Sequence, residues 1–136
     1  MPFARGQISR DGRQWHLDFA DAIASRDAAR YTSFMREDCS VQINNEMPVY
    51  SKQAIALAFA ERMKGFRSMS YELMNAFGTD SHSVVEALFN YVCHDGTIEV
   101  VQHAYICERD EAGLLTCVRV YGDTSRIPKP VTVAND

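Results

Sequence analysis

The 136-residue sequence has no run of lysine or arginine, no apolar stretch near the length of a membrane span, and no C-x-x-C pair. Each absence removes a class of function. Acidic and basic residues are interspersed and the formal charge is −4, so a polyanion such as nucleic acid finds no basic surface to bind. A membrane partner is equally unexpected, because a spanning helix needs about 20 consecutive apolar residues. The opening "MPFARGQISRDGRQ" lacks the apolar centre of a secretion signal, which makes the cytoplasm the expected address. Cys39, Cys93, Cys107 and Cys117 are far apart and fall mostly inside predicted strands, where a free thiol behaves as a small hydrophobe. Neither disulfides nor a bound metal is expected, and no motif calls for a cofactor.

What is present is an ordinary globular composition, 46% hydrophobic and 24% charged, in a length that suits one domain. Residues 1–136 are expected to form that domain, with a core over about 14–127 and terminal arms at 1–13 and 128–136. Trp15, Phe19, Ala22 and Ile23 recur at helical spacing in "RQWHLDFADAIASRD", and Asp27 is suited to cap a second helix, "AARYTSFMRE". "CSVQIN" alternates as a strand, "NNEMPVY" reads as an irregular connection, and Ser51 opens a third helix whose Ile55, Ala58, Phe59, Met63 and Phe66 form one face. Thereafter the period is two. Strands are predicted at 69–77, 83–93, 97–108 and 114–121, separated by "GTDSH", "HDG" and "RDEAG". Tight turns between consecutive strands imply a mostly antiparallel sheet, so the fold class is α+β, three helices from the N-terminal half packed on that sheet.

The last hairpin carries the chemistry. In "EVVQHAYICERDEAGLLTCVRVYGD", Val101, His103, Tyr105 and Cys107 share one face of a strand, and Gly113 suits the turn that follows. An imidazole and a phenol on one face either line a pocket or pack in the core. The strand before it is apolar on both sides, with Ala87, Phe89, Tyr91 and Cys93 opposed to Leu88 and Val92. One side meets the helices, and the other asks for a second cover. A homodimer that buries Phe89 and Tyr91 on the outer sheet face would supply it, a solvated face with scattered aromatics being the alternative.

The runs "FADAIASRDAARYTSFMREDCSVQI", "YSKQAI" and "RDEAGLLTCVRVYGD" together resemble the SnoaL-like and ketosteroid-isomerase-like branch of the nuclear transport factor 2-like superfamily. The likeness implies a cone-shaped α+β barrel, a strongly curved sheet wrapped around the helices with a deep pocket between them and, usually, dimerisation through the outer sheet face. By similarity the inward set is Glu86, Leu88 and Asn90 on one strand, Val101, His103 and Tyr105 on the next, and Val118 and Val120 on the last. Trp15, Phe19, Ile23 and Met63 would come from the helices. The isomerases' carboxylate base falls at Ile43, their phenol donor at Phe19 and their acid donor at Tyr105, so only the last keeps a hydrogen-bond donor. The aspartate–arginine–aspartate set of limonene-epoxide-hydrolase relatives has no evident counterpart.

His103 titrates near neutrality and could move protons, Tyr105 could donate to a developing oxyanion, and Glu86 or Asn90 could orient either. Each has a plainer reading: a satisfied core histidine, an aromatic packing residue, a polar patch. Glu86 is also explained if the faces of its strand are reversed and the carboxylate is solvated. His82 and His94 fall in turns, and His16 beside Trp15 reads as partly exposed. The expected function is a cofactor-independent enzyme, an isomerase, cyclase or dehydratase acting on a small apolar carbonyl, polyketide or terpenoid-like compound. A non-catalytic ligand-binding or assembly module of the same fold is the alternative.

Overall fold

The computed structural model describes residues 7–130; of the two terminal arms, residues 1–6 and 131–136 lie outside the described residues. Helix α1 (Arg10–Ala24) starts earlier than its apolar spacing indicates because Ser9 caps it, its side chain accepting from the Gly12 N–H. Helix α2 (Ala28–Thr32) is capped by Asp27, but ends well before the predicted boundary. At Met35 the chain is already strand β1 (Met35–Ile43), paired in parallel with β6 (Leu115–Gly122), and the Phe34 carbonyl accepts from Leu115 N–H at 2.8 Å. Sheet pairing has overridden a local helical pattern. The connection read as irregular contains a short strand, β2 (Val49–Tyr50), before α3 (Lys52–Met63).

Strands β3 (Ser68–Gly78), β4 (His82–Val92) and β5 (Ile98–Arg109) then run antiparallel into β6, giving one six-stranded sheet in the order β2-β1-β6-β5-β4-β3. The β1–β6 pair is its parallel element. Bulges interrupt the register at Leu73–Asn75 and at Glu108–Arg109, places where a strand bends and twists more sharply. The hairpin turns work as the sequence implies: Gly96 and Gly113 have φ of 88° and 86°, a conformation that costs other residues a steric penalty.

The core lies between the concave sheet face and the helices. Phe19, fully buried, stacks on Tyr31 at 5.6 Å and meets Phe34 and Trp15 at 5.4 and 5.2 Å. Below α1, His16 is buried and its Nε2 lies 2.8 Å from Ser83 Oγ on β4, which corrects the expectation of a partly exposed ring. Burial, and then the nearby Arg109 charge, push its pKa down from 6.5 to about 4.

That shift makes a prediction about pH. The unfolded chain takes up a proton at 6.5 that the folded chain refuses until about 4, so His16 costs no stability above pH 6.5 and increasingly lowers it as pH falls toward 4. At about 1.36 kcal/mol per pH unit the full loss approaches ~3 kcal/mol. Urea unfolding of wild type and His16→Gln at pH 7, 5.5 and 4 should show a clearly flatter decline in the variant. Parallel declines would mean that His16 does not titrate as its burial implies.

Candidate functional site

The alternation of β5 sends His103 and Tyr105 to the concave side with Val101. The register settles the neighbouring strand. His103 lies opposite Ala87, Tyr105 opposite Val85, and Val101 opposite Phe89, and directly opposed residues share a face. Val85, Ala87, Phe89 and Tyr91 are therefore inward and buried, while Glu86, Leu88 and Asn90 are on the outer face. This corrects the expected inward set. Glu86 is exposed, and the Asn90 side-chain amide donates to Ser70 Oγ on that outer face, at 3.3 Å. Neither carboxylate nor amide reaches the pocket. It also corrects the expected dimer contact, since Phe89 and Tyr91 belong to the core.

The concave side encloses a cavity of about 110 Å³, far above the ~10–15 Å³ that one water needs. Of the expected pocket residues, Phe19, Ile23, Ile43, Met63, His103, Tyr105, Val118 and Val120 line it. Trp15 and Val101 do not. Trp15 packs on Phe19 and takes the Arg109 guanidinium over its ring at 4.2 Å, and Val101 is buried core. Unforeseen in the wall are Tyr31 on α2, Phe59 and Arg62 on α3, Met69 on β3, Phe89 and Tyr91 on β4, and Thr124 and Ile127 beyond β6. The Ile43, Phe19 and Tyr105 positions at which isomerase functional groups would fall by resemblance all border this one space.

Three of the polar groups in its wall come from β4 and β5. His103 Nε2 and Tyr91 Oη are 3.2 Å apart in a buried hydrogen bond. Phe89 meets the imidazole edge to face at 5.4 Å and 72°. On its other side the ring presses on Gly122, its partner in β6: a Cβ there would sit 2.8 Å from Nδ1. Glycine is what admits the imidazole in this rotamer. Burial, reinforced by the Arg62 charge, holds the His103 pKa below its ordinary value, so the ring is neutral at pH 7. Tyr91 is pushed by burial up to about 12. The Tyr105 hydroxyl is buried with no hydrogen-bond partner among the described residues, and burial raises its pKa far above the phenol range. The phenol stays protonated at neutral pH, and leaving such a group unpaired costs about 1–3 kcal/mol.

Among the described residues the one charged side chain in the wall is Arg62, and no carboxylate lines the cavity. Among the described residues no three His, Cys, Asp or Glu side chains are grouped closely enough to hold a metal ion. No cysteine among the described residues lines the cavity, and burial raises the Cys39 and Cys107 thiols to about 12. What the arrangement can do is bind an apolar molecule, offer it one phenol donor, and exchange a proton with it through a histidine–tyrosine pair.

No protein-family model and no curated relative matches the chain. Solved structures do. A putative SnoaL-like polyketide cyclase from a Jannaschia species is 14% identical, with 96% of this chain and 100% of that chain covered at a TM-score of 0.74. A hypothetical protein with a ketosteroid isomerase-like fold from Catenulispora acidiphila, in complex with trimethylamine, is 13% identical, covers 82% of this chain and 87% of its own at a TM-score of 0.73. An epoxide hydrolase from M. tuberculosis, like limonene-epoxide hydrolase, is 14% identical over 86% of both chains at a TM-score of 0.69. The fold is thus that of the ketosteroid isomerase-like and SnoaL-like proteins. At such identities the likeness extends to the fold and no further.

Proposed function

We propose that the protein is a cofactor-independent enzyme that moves a proton within a small, mostly apolar carbonyl compound, as in isomerisation, cyclisation or dehydration. The observation that carries this reading is the His103–Tyr91 hydrogen bond beside the unpartnered Tyr105 hydroxyl, all on one apolar cavity. Tyr105 donates to the carbonyl oxygen and stabilises the oxyanion that forms when a proton leaves the adjacent carbon. That proton passes to Tyr91 Oη as the phenol's own proton passes to His103 Nε2. The imidazolium so formed is desolvated and near Arg62, so it returns the proton by the same path to another atom of the enolate, which restores the pair. Isomerisation by a carboxylate base is not supported, since no acid among the described residues lines the cavity. The names of the fold's neighbours, a polyketide cyclase among them, agree with a carbonyl-rich substrate.

The test is a screen of apolar ketones, enones and polyketide-like compounds for thermal stabilisation, followed by mass spectrometry for conversion. Turnover without added cofactor supports the reading. Ligands that stabilise and are never converted would favour a binding module, the reading to which the otherwise apolar wall lends itself.

The proposal includes a homodimer through the outer sheet face, where Phe77, Val84 and Ile106 lie in register across β3, β4 and β5 with Leu88, Val100 and Tyr121 nearby. Light scattering at about 10 µM should give about twice the chain mass of 15.4 kDa, in the range where a stable interface holds. Leu88→Glu should return it to the monomer. A wild-type monomer would show that this face is simply solvated.

A further inference from the structure

Arg62, on the last turn of α3, borders three adjoining spaces. Inward is the cavity that holds His103 and Tyr105. To one side is a cleft of about 80 Å³ walled by Val41 and Val49, and outward is a vestibule of about 460 Å³ between α3 and the chain beyond β6, with Ile127 and Pro128 in its wall. The guanidinium therefore stands at the threshold between solvent and the inner cavity.

Charge is distributed unevenly across that threshold. Among the described residues the vestibule sets Arg62 and Lys129 against Glu46 and Glu61, whereas the inner cavity has Arg62 alone. Arg62 Nη2 lies 3.4 Å from Glu46 Oε2 in a solvent-exposed pair, and such pairs contribute only about 0.2–1 kcal/mol. Glu46 can be exchanged for another anion. The Arg62 charge is felt inside, where it lowers the pKa of His103 and opposes the rise at Tyr91 and Tyr31. A neutral apolar ligand leaves this positive potential unused. A carboxylate matches the guanidinium fork with two charge-assisted hydrogen bonds, stronger at a partly desolvated site than in water.

The geometry points to an apolar carboxylic acid as the ligand, its carboxylate held at the threshold by Arg62 and its body in the cavity, with the carbon skeleton directed at His103, Tyr91 and Tyr105. This rests on reading the cavity as a ligand pocket and makes Arg62 its specificity-determining residue.

Calorimetry with matched acid and amide probes, 4-phenylbutanoate against 4-phenylbutanamide and octanoate against octanamide, tests it at pH 7.5. Wild type should bind each acid at least about tenfold tighter than its amide. Arg62→Gln should erase that preference by weakening the acids alone, and Glu46→Gln, which removes the competing carboxylate, should tighten the acids by about two- to fivefold. Unchanged melting curves would confirm that both variants fold; should Arg62→Gln fail to, the Glu46→Gln arm still decides. Equal affinity for acid and amide, or a preference that survives Arg62→Gln, overturns the assignment while the bound amide leaves the pocket reading intact. Binding of neither member of either pair at millimolar concentration overturns the assignment too, and the pocket reading then stands or falls on the carbonyl screen.

Discussion

Phe19→Ala is expected to destabilise the fold by about 3–5 kcal/mol, the range for removing a fully buried aromatic ring. Phe19 has no exposed surface and sits where α1, α2 and the sheet meet, in contact with Trp15, Tyr31, Phe34 and Tyr105 rings at 5.2 to 6.4 Å. None of these partners can collapse into the space it would leave without breaking its own contacts. The ring stands between the cavity and α1, so the hole would merge with the cavity, and the helix would lose its main anchor to the concave face. For a chain of this size such a loss lowers Tm by roughly 10–15 °C and takes a large fraction of a typical total stability of about 5–15 kcal/mol. Phe19→Leu, which refills most of the volume, should cost less than half as much. The measurement is the urea midpoint of the two variants at constant m. A loss below about 1 kcal/mol for the alanine variant would show that the aromatic cluster is loosely packed and that α1 is held by other contacts.

The fold was legible because its periodicities are long and distinct: two amphipathic helical stretches, a third opened by Ser51, and four alternating strands in a row. The early end of α2 and the two-residue β2 were not, since each is settled by partners far along the chain, β6 for the first and β1 for the second. The misplaced faces of β4 have a sharper cause. With Val84, Leu88 and Val92 on one side and Val85, Phe89 and Tyr91 on the other, hydrophobicity cannot choose a face, and the choice passes to the parity of the hairpin. The turn "HDG" holds that information. Cys93 N–H donates to Thr97 O at 2.8 Å across a three-residue loop, and counting back from that pair sets Ala87, not Glu86, on the same face as its neighbour His103. The same count puts Tyr91, opposite Glu99, on the face that His103 shares. Arg62 gave no such signal, because an arginine at the end of an amphipathic helix is indistinguishable in sequence from a solvated one. Its meaning comes from the chain beyond β6 folding back over α3.

Once a turned-over substrate is in hand, the His103–Tyr91 pair and Tyr105 should separate by their kinetics. His103→Ala should lower kcat by about two to four orders of magnitude, the usual yield of a positioned acid or base. Tyr91→Phe interrupts the same relay and should cost a comparable factor, and the double variant should be scarcely worse than either single one, since residues that act as a unit are not additive. Tyr105→Phe keeps the ring and removes one donor, so about two orders of magnitude are expected with the loss in kcat. The base must be neutral to act, and burial holds His103 below its ordinary pKa. kcat/KM in the wild type should therefore rise with pH below 6.5 and be flat through neutrality. That acidic limb should vanish in His103→Ala if residual turnover is measurable. Glu86→Gln and Asn90→Ala, on the outer face, are the controls and should keep wild-type rates. Loss of activity in those two with full activity in the His103 and Tyr105 variants would place the chemistry on the opposite side of the sheet. If all five single variants retain wild-type rates and fold normally, the histidine–tyrosine pair is structural, a buried hydrogen bond that ties β4 to β5, and the catalytic groups must be sought on the helices.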